Sequence, residues 1–170
     1  MIHCQLPANV SYAKLADPAA LDDFVGVFLV SVYPGNAPDW IVYAAGNAAE
    51  QHMLTIDNGN VSLVWNESRG NICNSGGAVP RDAVSMLRVS RQYGVWELTW
   101  TGQPTQPAVV SGDEGPIFFD LIGATGIDRP GQAGYSTPGC HVLAAVIMPG
   151  HPTAEDVARV EVGMAGYQLS

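Results

Sequence analysis

Between Val84 and Gly102 the chain alternates with a period of two, and this pattern restricts the fold more than any other feature. Leu87 and Val89 fall on one side of an extended segment, Arg88 and Ser90 on the other. After Gln92-Tyr93-Gly94 the alternation resumes, with Trp96, Leu98 and Trp100 opposed to Glu97, Thr99 and Thr101. Successive side chains of a strand point to opposite faces, so the stretch predicts two half-buried strands joined by a short turn. Gly94 supplies the positive φ that a tight hairpin requires. Two tryptophans on one face commit roughly 150–250 Å² of burial each, and both are expected in the core rather than at a ligand.

The rest of the chain supplies further strands. Residues 2–6 form a short opening strand. Residues 24–33, nearly all β-branched or aromatic, read as a central strand covered on both faces, and His141 to Met148 repeats that character. Trp40 to Ala44, Met53 to Ile56 and Ile117 to Ile122 are shorter runs. Asp57-Asn58-Gly59-Asn60 lies between Leu54/Ile56 and Val61/Leu63/Trp65, which is a strong hairpin signal. Residues 7–23 read as loop with at most a helical turn after Asp17-Pro18. Residues 66–83 and the glycine-rich 123–139 read as loops, and the Gln103–Pro107 stretch with two prolines is barred from a central strand. Thr153-Ala154-Glu155-Asp156 opens a helix, with Thr153 as cap and two carboxylates near the positive end of its dipole. Val157, Val160, Met164 and Tyr167 form its apolar stripe, and Glu161 is expected to face away. The result is an all-β, antiparallel two-sheet sandwich with one short C-terminal helix, in a single domain over residues 1–170.

Charge excludes some partners. One lysine and six arginines stand against 16 carboxylates, a formal net charge of −9. No basic stripe exists to neutralise phosphates, so neither nucleic acid nor an anionic membrane is expected as a partner. No apolar run approaches the ~18 residues of a bilayer span. The first residues lack a charged, then apolar, export pattern, and three cysteines suit a reducing compartment. Synthesis and folding in the cytoplasm are therefore expected.

Three stretches carry a resemblance to a known family: the hairpin Leu54 to Leu63; Met86-Leu87-Arg88-Val89-Ser90-Arg91 followed by Trp96 to Gly102; and Val142 to Met148 followed by Pro149-Gly150-His151-Pro152-Thr153-Ala154-Glu155-Asp156. Their order resembles the concanavalin A-like lectin/glucanase jelly rolls of the laminin-G-like or pentraxin-like kind, over roughly residues 24–170. Pro152 departs from the leucine usual at its position. The resemblance implies a jelly-roll sandwich, in a family of lectins, glycoside hydrolases, adhesion modules and virion proteins of tailed phages. A chain starting at its own Met without an export signal is similar to the phage group. That similarity implies a non-enzymatic decoration or tail module, with virion subunits or further copies of itself as partners and residues 66–83 and 123–139 facing outward. A free glycan-binding lectin is the alternative, and a glycoside hydrolase a third reading.

Candidate sites are sparse. Glycoside hydrolysis needs two carboxylates about 5–9.5 Å apart, whereas Glu97 stands alone on its strand and Asp113-Glu114 are adjacent in a turn. No Gly-x-Ser-x-Gly elbow and no Gly-x-Gly-x-x-Gly loop occur, so neither catalysis nor a nucleotide cofactor is expected. Calcium is a candidate ion, through Asp57, Asn58 and Asn60 or through Asp113 and Glu114, although a hairpin turn demands the first group anyway. His3-Cys4 and Cys140-His141 suggest zinc, but adjacent strand residues face opposite ways, which disfavours four tetrahedral ligands. Cys4 and Cys140 are expected on neighbouring strands as buried thiols. For ligand or partner contact the exposed aromatics are Tyr33, Trp40, Tyr93 and Tyr135. Tyr135, between Gly134 and Ser136, is the foremost, with Trp40, Asp113 and Glu114 beside it.

Overall fold

The computed structural model describes the backbone of residues 2–5, 13–32, 39–45, 51–57, 60–65, 71–74, 83–100, 106–108, 116–122 and 140–166, and side chains within 20–31, 83–100, 116 and 142–166. In chain order the strands are β1 (Ile2–Gln5), β2 (Ala13–Leu21), β3 (Phe24–Val32), β4 (Asp39–Ala45), β5 (Gln51–Asp57) and β6 (Asn60–Trp65). They continue with β7 (Asn71–Asn74), β8 (Val84–Gln92), β9 (Val95–Trp100), β10 (Gln106–Ala108), β11 (Ile117–Ile122) and β12 (Cys140–Pro149), and helix α1 (Ala154–Ala165) follows. They build two six-stranded sheets, ordered β1-β12-β3-β8-β9-β10 and β2-β11-β4-β5-β6-β7, with antiparallel pairing throughout. This is a jelly-roll sandwich closed by one short helix, as the alternating patterns require.

The Val84–Gly102 hairpin behaves as its pattern dictates. Leu87 lies opposite Trp100, Val89 opposite Leu98 and Arg91 opposite Trp96, and Leu87, Val89, Trp96, Leu98 and Trp100 are all buried. Phe24, Phe28, Ala145 and Ile147 continue that face across β3 and β12 to form the sandwich interior, with Phe24 edge-on to Trp96 at 5.7 Å between ring centroids. Both tryptophans are structural. The opposite face of β3 is covered as well. Val25, Val27 and Leu29, with Ala144, Val146 and Met148, pack beneath Val157, Val160 and Met164 of α1. A helix lying on the outer face explains why the two central strands are apolar on both sides.

Thr153 caps α1. Its hydroxyl accepts from the Asp156 backbone N–H at 3.2 Å and donates to the Asp156 carboxylate at 2.7 Å, and the Thr153 N–H closes the box. Glu161 departs from expectation. It lies at the margin of the packed stripe, and its carboxylate accepts from Arg88 of β8 at 3.3 Å, joining helix to sheet. Arg88 also donates to the Thr99 hydroxyl.

Residues 13–21 form β2 where a loop was expected, and Asn71–Asn74 form β7 inside the expected 66–83 loop. β2 is an edge strand, and its pairing with β11 jumps from Ala19↔Phe119 to Lys14↔Leu121. Asp17-Pro18 falls in the skipped part, where a residue lacking an N–H costs no ladder bond. Pro107 lies in β10, likewise an edge. Residues 123–139 lie outside the described residues, as does Tyr167.

Candidate functional site

At one end of the first sheet, Pro149, Phe24, Arg91 and Trp96 form a continuous row across β12, β3, β8 and β9. Just beyond that row the chain changes direction three times. Asp22-Asp23 joins β2 to β3, Tyr93-Gly94 joins β8 to β9, and the segment from Gly150 to Thr153 joins β12 to α1. Because the row ends together, the three junctions meet at one rim.

The β8–β9 turn has two residues, since Gln92 pairs with Val95. Gly94 has φ +75°, as expected, and Tyr93 is also left-handed at +52°. Positive φ at both central positions marks the primed turn that matches strand twist, where Asn-Gly is the usual dipeptide. Tyr93 is the one non-glycine residue with positive φ among the described residues. The conformation crowds Cβ against the backbone and costs on the order of 1–2 kcal/mol in a non-glycine residue.

The Tyr93 ring stacks on His151, centroids 4.0 Å apart and planes inclined by 7°. His151 Nε2 lies 3.3 Å from the Asp23 carboxylate. The Asp23 backbone carbonyl accepts from the Gly150 N–H at 2.7 Å, with Gly150 itself at φ +72°. Asp23 therefore holds the β12–α1 junction through its backbone and the imidazole through its side chain. The imidazole in turn supports the tyrosine. Tyr93 remains 81% exposed despite this stack, so its second face is open to solvent. The arrangement offers a flat aromatic surface beside a carboxylate and an imidazole.

Beneath the rim, Arg91 is 7% exposed and its guanidinium lies 5.7 Å from the Trp96 ring centroid. Its charge is thus directed into the sandwich. The other described cations are engaged, Arg88 with Glu161, and Arg159 with Glu155 at 3.1 Å and Asp156 at 3.7 Å. The Thr153 hydroxyl and backbone N–H hold the Asp156 carboxyl below its ordinary pKa, with Arg159 adding to the effect.

Of the contact residues expected from sequence, Tyr135, Asp113 and Glu114 lie outside the described residues, as do Tyr33 and Asn58. Trp40 sits on β4 opposite Thr55, one residue before an irregularity in the pairing, and its side chain lies outside the described set. Asp57 and Asn60 pair across the β5–β6 hairpin. Cys4 and Cys140 do lie on neighbouring strands, but Cys4 pairs with Ala145, five positions along β12. At about 3.3 Å per residue the two Cα atoms are roughly 16 Å apart, far beyond the ~7 Å limit of a disulfide. His3 pairs with Val146, so the same offset separates it from His141 and dismantles the zinc reading. Of the aromatics expected to be exposed, Tyr93 lies at this rim, 81% exposed. Asp23 and His151 were not legible as site residues.

No protein-family model matches the chain, and no curated protein is similar to it in sequence. Solved structures are similar in fold. A heptameric pentraxin from Limulus polyphemus superposes with a TM-score of 0.56 at 10% identity, covering 93% of this chain and 80% of that one. Domains LG4-5 of the mouse laminin α1 chain give 0.51 at 14% identity, over 83% of this chain and 44% of theirs. Human galectin-16 gives 0.52 at 10% identity, over 83% of this chain and all of its own. The likeness extends to a sialidase of Trypanosoma rangeli in complex with sialic acid, of which this chain spans 22% at 14% identity. At these identities the likeness establishes the fold alone, a two-sheet jelly-roll sandwich.

Proposed function

We propose that the chain is a non-catalytic, glycan-binding module. The observation that carries this reading is the rim ring of Tyr93, held from one side by His151 and open on the other. An aromatic face takes up the apolar C–H face of a sugar, and a neighbouring carboxylate accepts hydrogen bonds from its hydroxyls. The lectin-like sandwich supplies a rigid base, since three backbone junctions fix the rim. A role as a virion decoration or tail component gains no support from the rim. A stable subunit interface buries about 800 Å² per partner. The exposed large hydrophobic residues among those described are Val84, Tyr93, Val95 and Val162. One ring of this size suits a saccharide better than a subunit.

A glycan array probed with the purified chain tests the proposal. Saturable binding to a defined subset of glycans is the expected outcome, with no release of reducing sugar from a polysaccharide panel. Failure to bind any glycan refutes the binding role, and turnover refutes the non-catalytic one.

A further inference from the structure

The charges around the rim narrow the ligand class, and this step rests on the glycan-binding reading. We infer that Tyr93 and Asp23 select neutral or N-acetylated hexopyranosides over carboxyl-bearing sugars, and that they do so without a metal ion.

Three observations converge on this. A tyrosine held at φ +52° in a turn better served by asparagine stores strain, and its ring stays in solvent rather than in the core. Strain of this kind points to what the side chain presents. The Asp23 carboxylate lies 3.3 Å from the His151 side of the stack, on a chain of net charge −9. A carboxylate accepts from sugar hydroxyls and repels an anionic substituent. Every described arginine is already engaged: Arg88 with Glu161, Arg159 with Glu155 and Asp156, and Arg91 against Trp96 inside the sandwich. The N-terminus of α1, which would otherwise favour an anion, is met by Thr153 and Asp156. A sialic or uronic acid would therefore meet the Asp23 carboxylate while every described arginine is already engaged. Asp23 is also taken up by His151 and needs no ion to fix it in place.

The test is binding of the intact chain to immobilised neutral, N-acetylated, sialylated and uronic-acid glycans, with calcium and with EDTA. The inference expects the neutral or N-acetylated members to bind equally in both buffers. Tyr93→Asn should weaken them about tenfold or more, the equivalent of about 1.4 kcal/mol. Its unfolding transition, measured alongside, should stay near that of the parent chain. Asp23→Asn should narrow the gap between neutral and acidic glycans. Preferential binding of acidic glycans, loss of binding in EDTA, or parent-like binding by Tyr93→Asn would overturn the inference while leaving glycan binding in place. A chain that binds no glycan overturns both.

Discussion

Replacing Tyr93 by asparagine separates a ring held for presentation from one held for stability. In the folded chain Tyr93 contributes two opposing terms. Its left-handed backbone costs on the order of 1–2 kcal/mol, most of which asparagine avoids in an Asn-Gly primed turn. Its stack on His151 returns about 0.5–1.5 kcal/mol, less where water reaches both rings, as it does here. The difference predicts that Tyr93→Asn leaves stability unchanged or raises it by up to about 1 kcal/mol, which for a chain of this length is about 2–4 °C in Tm. Equilibrium urea unfolding of the parent, Tyr93→Asn, His151→Ala and the double variant measures both terms. The cycle should return a coupling of about 0.5–1.5 kcal/mol between the rings. A loss above about 2 kcal/mol in Tyr93→Asn would refute the reasoning, because the ring would then be a structural support and its exposure incidental.

Three further outcomes follow from the packing. A Cβ added at Gly26, in the central strand, would lie 2.8 Å from Cε2 of the buried Phe28 ring, so Gly26→Ala should cost about 1–3 kcal/mol in chemical denaturation. Asp156 has its carboxyl pKa depressed by Thr153, so its stabilisation is complete above the ordinary carboxylate range and is lost as pH falls through the lowered value. Stability of Asp156→Asn, followed by circular dichroism, should accordingly depend less on pH below about 4 than that of the parent. Mild oxidation should leave Cys4 and Cys140 uncrosslinked, which peptide mapping without reduction reports; a Cys4–Cys140 peptide would contradict the β1–β12 register.

The interior of this fold was legible because burial on a strand leaves a periodic trace. β3 and β12 are apolar on both faces because one side meets the sandwich interior and the other meets α1. β9 alternates cleanly, with Glu97 in water and Trp96 and Trp100 inside. The strands that escaped recognition, β2, β7 and β10, are all edges. An edge strand needs ladder bonds on one side only, so it accommodates Pro18 or Pro107, and its pattern resembles that of a loop.

The rim was hidden for a different reason. Tyr93, Asp23 and His151 are separated by 70, 128 and 58 positions taken pairwise, and no spacing rule joins them. What joins them is register: Phe24 opposite both Arg91 and Pro149 places the residues just beyond those three at one end of the sheet. A local clue did exist. Tyr-Gly between two alternating strands puts a bulky ring where a primed turn calls for asparagine, and Gly94 alone does not relieve the residue before it. An unsuitable residue in an otherwise regular hairpin is therefore informative by its mismatch. The turn would close more easily without the ring, and the ring does not enter the core, so the physical role left for it is the surface it offers to solvent beside Asp23.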